Sequence, residues 1–139
     1  MARLIVALAI ALATAASAAP SQGPQPAATV QATYFRYEYR CYSCVKLERW
    51  ATHAIQVGLK DSIKTGRLKW GTMDMESKQG AALADKIGLM NKNVALMEMR
   101  GGKMVRSKEL VNTWKLLRDS SAFANYVKNE TIAFLKEAR

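Results

Sequence analysis

The chain of 139 residues contains only two cysteines, and they stand three positions apart in Cys41-Tyr42-Ser43-Cys44. A run rich in β-branched and aromatic residues, 30–37, precedes them, and apolar residues at helical spacing follow them. Residues three apart are neighbours on the first turn of a helix, so both sulfurs would lie on one side of it. Their expected Cα separation of about 5–6 Å suits a disulfide. The pair therefore predicts a strand-to-helix junction with a dithiol or a disulfide at its centre.

Strands and helices are predicted to alternate along the rest of the chain. Residues 30–37 predict the first strand. Tyr42 to Ser62 or Lys64 predicts an amphipathic helix, whose apolar face is formed by Cys44, Leu47, Ala51, Ile55 and Leu59. Further strands are predicted at 68–75, 93–99 and 103–107, with a second helix at 77–87 that ends at Gly88 and a last helix that starts at Asp119-Ser120-Ser121.

This order, β-α-β-α-β-β-α, predicts an α/β fold. We expect a three-layer sandwich in which helices cover both faces of a mixed four-stranded sheet. The first two crossovers have the length of βαβ units, so parallel neighbours and right-handed connections are expected. Gly101-Gly102 predicts a tight turn, which adds one antiparallel strand.

The first residues of the chain predict export. Met1-Ala2-Arg3 gives a cationic start, residues 4–16 are small or apolar, and Ala16-Ser17-Ala18 fits a cleavage site. We therefore interpret residues 1–18 as a signal peptide that is cleaved after Ala18. The alternative is an uncleaved N-terminal anchor. A periplasmic or secreted location follows from this interpretation.

After the signal peptide, the sequence predicts a leader and one domain. Residues 19–29 hold all three prolines and predict a flexible leader. Residues 30–139 suffice for one compact domain with one core. No second apolar run of membrane-spanning length follows, so no stable membrane insertion is expected after cleavage.

The formal charge of +10 is the other notable property of the composition. Lysines and arginines are spread from Arg36 to Arg139 with acidic residues among them, and no DNA- or RNA-binding motif accompanies them. We interpret the charge as a solvated surface and expect no nucleic-acid partner.

Cys41 is the cysteine that stands at the predicted start of the helix. Unpaired N–H groups and the positive helix end stabilise an anion there, which lowers the pKa of the Cys41 thiol. Arg36, Arg40 and Lys46 are expected to act in the same direction. A thiolate attacks in thiol–disulfide exchange, and a second cysteine resolves the mixed disulfide. We therefore predict Cys41 as the catalytic nucleophile and Cys44 as the resolving thiol, with a protein thiol, a protein disulfide or a redox subunit as the partner.

Three other interpretations stay open. The pair could form a structural disulfide, although closing a four-residue loop stabilises a protein by only about 2 kcal/mol. The two thiols could instead bind a soft metal or metalloid such as Cu(I) or arsenite. Finally, the domain could be a non-catalytic interaction module in which the thiols contribute little. Tyr39 and Tyr42 are predicted to form an exposed apolar docking rim in any of these cases.

The remaining metal-binding residue types do not form a site in the sequence. Structural zinc needs four ligands, whereas the chain offers two cysteines and one histidine, His53. His53 lies nine residues past Cys44, near the opposite face of the predicted helix. We therefore predict no metal and no cofactor. Four methionines that alternate on predicted strands are interpreted as core residues rather than as thioether ligands: Met73, Met75, Met97 and Met99.

The element order, with Cys-x-x-Cys after the first strand, resembles the thioredoxin superfamily over residues 30–139. Three stretches narrow the resemblance: Arg40 to Glu48, Gly66 to Trp70, and Val94 to Met99. They resemble a small bacterial thioredoxin-like family that is labelled a nitrophenyl-compound nitroreductase subunit and is linked to arsenic-resistance gene clusters. The resemblance implies a thioredoxin-like sandwich and a thiol–disulfide oxidoreductase or accessory redox subunit. Nothing in the chain resembles a flavin site.

The chain departs from thioredoxin at three positions. Tyr42-Ser43 replaces the usual Gly-Pro between the cysteines. No proline stands near Val94, where the resemblance places a cis-proline that faces the active site, and Phe35 stands where it places a buried acid. In the superfamily the cis-proline binds the substrate backbone and keeps metal from the cysteines. Its loss favours a specialised redox or thiophilic role over a general disulfide reductase.

Overall fold

The computed structural model describes residues 27–138. The predicted signal peptide, 1–18, and residues 19–26 of the predicted leader lie outside this range. The strands are β1 (Thr29–Arg36), β2 (Leu68–Asp74), β3 (Asn93–Arg100) and β4 (Lys103–Glu109). The helices are α1 (Tyr42–Gln56), α2 (Lys60–Lys64), α3 (Lys78–Ile87) and α4 (Ser120–Glu137), with a 3₁₀ turn at Trp114–Leu116. No helix within 27–138 has the length and apolarity needed to cross a membrane.

The four strands form one mixed sheet in the order β2-β1-β3-β4. β1 pairs with β2 in parallel, and with β3 in antiparallel orientation. β4 returns antiparallel to β3 across the predicted Gly101-Gly102 turn. The predicted α/β class and mixed four-stranded sheet are confirmed, and the arrangement is that of a thioredoxin-like sandwich.

The direction of β3 corrects one prediction, because two successive parallel crossovers were expected. Phe35, near the end of β1, pairs with Met73 of β2 and with Asn93 of β3, so the chain leaves β2 and enters β3 at the same end of the sheet. α3 packs against the smaller core cluster through Leu83, Ala84 and Ile87. The chain therefore turns back at this end of the sheet instead of crossing to the other end before β3.

The long helix predicted to run from Tyr42 to Ser62 or Lys64 is two helices, separated near Gly58. A Cβ atom at Gly58 would lie 2.3 Å from the carbonyl oxygen of Ala54 and 2.7 Å from Cδ of Lys128 on α4. Both distances are shorter than van der Waals contact allows. Glycine fits here because a side chain would meet the backbone carbonyl of Ala54 in the last turn of α1, whereas the Lys128 side chain is flexible and can move.

The sheet is covered on both faces, which divides the core into two clusters. The larger cluster lies between the sheet and the helices α1 and α4 and includes Tyr34, Leu47 and Phe123. The smaller cluster lies on the α3 face and includes Phe35 and Met97. Tyr34 and Phe35 are consecutive and both fully buried. Side chains alternate across a strand, so each of the two residues enters a different cluster.

Local capping explains where the other helices begin and end. The side chain of Ser77 accepts a hydrogen bond from the N–H of Gly80 (3.0 Å), and Asp119 accepts one from Ala122 (2.9 Å). Gly88 ends α3 in the left-handed conformation, at φ 71°. These boundaries agree with the sequence predictions.

Candidate functional site

The cysteine pair lies at the end of β1, where the chain crosses into α1. Cys41 is the N-cap residue of α1 and has an extended backbone (φ −76°, ψ 162°). Its Sγ atom lies 3.1 Å from the backbone nitrogen of Cys44 and accepts that N–H. The N–H groups of the first helical turn have no acceptor within the helix. The sulfur of Cys41 therefore takes the position in which a capping oxygen usually lies.

Cys41 and Cys44 form a disulfide with a Cα–Cα distance of 5.0 Å, at the lower end of the expected range. The two residues differ in exposure. Cys41 is partly exposed, whereas only 1% of the surface of Cys44 is accessible. A reacting sulfur can therefore approach Cys41 from solvent but has no comparable access to Cys44.

Tyr34 of β1 connects the sheet to the first turn of α1. Its hydroxyl donates a hydrogen bond to the carbonyl oxygen of Cys44 (3.3 Å), and its side chain is fully buried. Burial raises the pKa of Tyr34 above its ordinary value of 10.0. The charge of Glu48 acts in the same direction, and those of Arg40 and Arg36 oppose it. The hydroxyl thus stays protonated and keeps its role as a donor.

Arg40 and Glu48 form an ion pair beside the disulfide. Arg40 directly precedes Cys41, and Glu48 lies one helical turn after Cys44. The sequence suggested that the charge of Arg40 would favour a thiolate. Because Glu48 compensates part of that charge, the N-terminus of α1 is the more direct source of anion stabilisation. This ion pair was not predicted from the sequence. The signal that could have indicated it is that Arg40 directly precedes Cys41 while Glu48 follows Cys44 by one helical turn.

A buried polar network fixes the start of β3. Asn93 is 3% exposed, and its amide donates to the carboxylate of Glu109 (2.7 Å). The side-chain oxygen of Asn93 accepts from the N–H of Val94 (2.8 Å) and from the hydroxyl of Thr113. These residues were not predicted from the sequence, since their partners come from three separate segments.

Trp114 makes a further contact between the segment after β4 and the segment before β3. Its indole N–H donates to the carbonyl oxygen of Lys92 (2.9 Å), which joins the 3₁₀ turn to the segment before β3. The ammonium group of Lys92 lies 6.0 Å from the centre of the Trp114 ring and 5.8 Å from that of Tyr37. Cation and aromatic rings at these distances attract each other weakly.

The surface beside the disulfide is a groove of about 610 Å³. Tyr39 and Tyr42 are 79% and 82% exposed next to Cys41, which confirms the exposure predicted for both. The groove is lined by Tyr42, Ser43, Lys46, Trp114, Lys115, Leu117 and Arg118.

The positions of His53 and of the four methionines agree with their interpretation from the sequence. His53 is exposed on α1, away from the cysteines. Met97 is buried in the smaller core cluster, and Met73, Met75 and Met99 pack against that cluster. Within residues 27–138, no three side chains of His, Cys, Asp or Glu lie close enough together to hold a metal ion.

No protein-family profile matches the chain, and neither a curated protein nor a solved structure shows significant similarity to it. The functional argument therefore rests on the geometry of the cysteine pair and its surroundings.

Proposed function

We propose that the protein is a thiol–disulfide oxidoreductase or accessory redox subunit that uses Cys41 as nucleophile and Cys44 as resolving thiol. One observation carries the proposal: partly exposed Cys41 caps α1 and its sulfur accepts the N–H of Cys44 in the first helical turn, while Cys44 is buried. The first environment favours an accessible thiolate, and the second shields the other thiol from competing reactions.

The reaction begins with the reduced pair. The thiolate of Cys41 attacks one sulfur of a partner disulfide, which forms a mixed disulfide and releases the other partner sulfur as a thiolate. The thiolate of Cys44 then attacks the sulfur of Cys41 and releases the second partner thiolate. Two electrons and two protons pass to the partner, and the protein keeps the Cys41–Cys44 disulfide. The reverse sequence oxidises a partner dithiol.

The surroundings of the pair favour exchange over a purely structural disulfide. The disulfide joins residues only three apart, so it constrains the unfolded chain little. The first turn of α1 is already fixed by Tyr34 and by packing of Leu47 in the larger cluster. The disulfide therefore adds little to the stability of the fold.

The proposal includes a location and a kind of partner. The interpretation of residues 1–18 as a signal peptide assigns the protein to the periplasm or the exterior, where disulfides persist. The resemblance of residues 40–48, 66–70 and 94–99 to the thioredoxin-like nitroreductase-subunit family favours a protein redox partner. No flavin chemistry is proposed for this chain.

A glutathione redox titration of the native protein tests the proposal. We expect a reversible two-electron transition, followed by the shift in tryptophan fluorescence or by trapping of free thiols. Cys41→Ser should abolish it, while His53→Ser, on the same helix, should leave it unchanged. A disulfide that opens only when the protein is denatured would support the structural interpretation instead. Sub-micromolar, stoichiometric binding of Cu(I) or arsenite to the reduced protein, without reversible exchange, would support the thiol-binding alternative.

A further inference from the structure

Three segments meet at the end of the sheet that carries the disulfide. Residues 37–45 follow β1, residues 88–92 precede β3 and residues 110–118 follow β4. The pairing of Phe35 with Asn93 brings the first two segments together. The backbone of residue 110 is hydrogen-bonded to that of residue 94, which adds the third. The disulfide thus lies in a surface that three distant parts of the chain build.

Exposed apolar side chains concentrate on this surface. Within residues 27–138, seven large apolar side chains are exposed, and five of them belong to the three segments. They are Tyr39, Tyr42, Val45, Met90 and Val111. Contiguous exposed apolar surface is typical of sites that contact other proteins.

The groove beside the disulfide is cationic. Lys46, Lys115 and Arg118 line it, and Lys92 lies next to Trp114, which also lines the groove. Among residues 27–138, no carboxylate forms an ion pair with any of these four side chains.

The closest acidic residue in sequence to the groove is Asp119, directly after Arg118. Its carboxylate accepts the N–H of Ala122 and caps α4, so it is engaged with the helix end. The Lys46 ammonium lies 4.5 Å from the centre of the Trp50 ring, a contact that leaves its charge without a counter-ion. The groove therefore presents uncompensated positive charge to whatever approaches Cys41.

We propose that this groove binds an acidic segment of a partner protein that lies next to the partner's reacting sulfur. The inference rests on the proposed function, since it names the partner class for the same cysteine pair. Charge complementarity gives the sign of the segment, and such complementarity chiefly accelerates association. The exposed apolar side chains belong to all three segments at this end of the sheet, which fits a protein surface better than a small anionic thiol.

Three short peptides test the inference. Each contains one intramolecular disulfide, and its flanking residues are all Glu, all Gln or all Lys. The reduced protein is mixed with each peptide, and the rate at which two electrons and two protons pass to the peptide disulfide is measured by acid quenching and mass spectrometry. At low ionic strength we expect the Glu peptide to react about tenfold faster than the Lys peptide. The preference should diminish as salt screens the charges.

Two charge-reversed variants locate the effect. Lys115→Glu/Arg118→Glu changes the groove and should abolish or reverse the preference for the Glu peptide. Lys60→Glu/Lys64→Glu makes the same change in net charge on α2, whose exposed lysines precede β2 at the other end of the sheet. This control should keep most of the preference. Equal loss in both variants would assign the effect to net charge and overturn the groove as its source.

The remaining outcomes separate the two proposals. Equal rates for the three peptides would overturn acidic docking and leave thiol exchange standing. Faster reaction with glutathione disulfide than with the Glu peptide would overturn the choice of a protein partner. If no peptide reacts and the glutathione titration shows no reversible transition, the proposed function is wrong. Binding of a cysteine-free Glu peptide to the oxidised protein then decides on the groove alone. Binding that disappears in Lys115→Glu/Arg118→Glu supports it, and absence of binding overturns it.

Discussion

The two faces of the sheet are covered differently, and the disulfide belongs to the better covered one. Two long helices, α1 and α4, cover the first face over the larger core cluster. On the second face, α3 covers one end, and a cavity of about 530 Å³ remains beside Gln31, Gly71 and Met97. The cavity exists because α3 enters and leaves at the disulfide end of the sheet.

The difference explains how the start of α1 can hold a reactive sulfur in place. An N-cap sulfur is stabilised only while the first helical turn keeps its N–H groups directed at it. Leu47, Ala51 and Ile55 anchor α1 in the larger cluster, and Tyr34 anchors its first turn. The covered face supplies the rigidity that the site needs, while the open face tolerates incomplete packing.

The largest expected difference between the faces comes from shortening one core side chain on each. Phe123→Ala removes a ring buried between α4 and α1, where it meets Trp50 edge-to-face at 5.6 Å. We expect it to cost about 3–5 kcal/mol of unfolding free energy. Met97→Ala changes a residue that already borders the cavity and should cost about 2 kcal/mol. Urea unfolding at constant pH measures both, and equal losses would contradict the comparison.

Two glycine substitutions sharpen the comparison at smaller cost. In Gly58→Ala the new Cβ meets the Ala54 carbonyl and Lys128, so we expect a loss of about 1–3 kcal/mol. In Gly71→Ala the nearest atom is Nε2 of Gln31 at 3.5 Å, on the open face. That substitution should be neutral or stabilising by a few tenths of a kcal/mol, up to about 1 kcal/mol. A larger loss for Gly71→Ala, measured by thermal unfolding, would show that the open face is packed as tightly as the other.

Tyr34→Phe removes one hydrogen bond of the covered face and keeps the ring. The expected loss is about 1 kcal/mol, because the Cys44 carbonyl loses its side-chain donor. Amide hydrogen exchange in the first turn of α1 should become faster, whereas exchange in α3 should stay the same. Unchanged exchange throughout would mean that Tyr34 does not position the disulfide.

Glu98 gives the smallest expected effect, seen in the pH dependence of stability. Burial alone would raise the pKa of Glu98, but hydrogen bonds and charges from Arg100 and Arg106 hold it below its ordinary value of 4.5. Arg106 also donates to the carbonyl of Phe134, which ties α4 to the sheet. A carboxyl with a lowered pKa in the folded state stabilises the protein above pH 4.5, and this contribution is lost as the pH falls through the lower folded value.

Unfolding as a function of pH checks this contribution. Between about pH 5 and 2 the native protein should lose more stability than Glu98→Gln does. Glu76→Gln, at an exposed carboxyl between β2 and α3 that accepts the N–H of Glu38, is the control for the loss of one acidic group. A pH profile unchanged by Glu98→Gln would contradict the role given to Glu98.

Elements that depend on local chemistry could be predicted from the sequence. The caps at Ser77, Gly88 and Asp119 were visible because each acts within one turn of its helix. The Gly101-Gly102 turn could be predicted because glycine adopts positive φ without strain, and both residues do so in the structure. The cysteine pair was placed correctly at the start of α1 for the same reason, since the geometry of the pair is contained in the four residues 41–44.

Features that depend on distant parts of the chain were missed. The direction of β3 depends on its pairing with β1, and one of the two close contacts at Gly58 is with Lys128 of α4. The network around Asn93 joins β3 to Glu109 and Thr113, and periodicity along one segment carries no information about such contacts. The direction of β3 and the Asn93 network bring together the segments that surround the disulfide.

The pH dependence of alkylation at Cys41 tests the central claim most directly. The reduced protein is treated with iodoacetamide over a range of pH, and each cysteine is followed by peptide mass spectrometry. The account predicts that Cys41 alone reacts in the native state, with a half-maximal rate below pH 8.5, the ordinary pKa of a cysteine thiol being about 8.5. Half-maximal reaction of Cys41 at or above that pH, or faster reaction at Cys44, would contradict it.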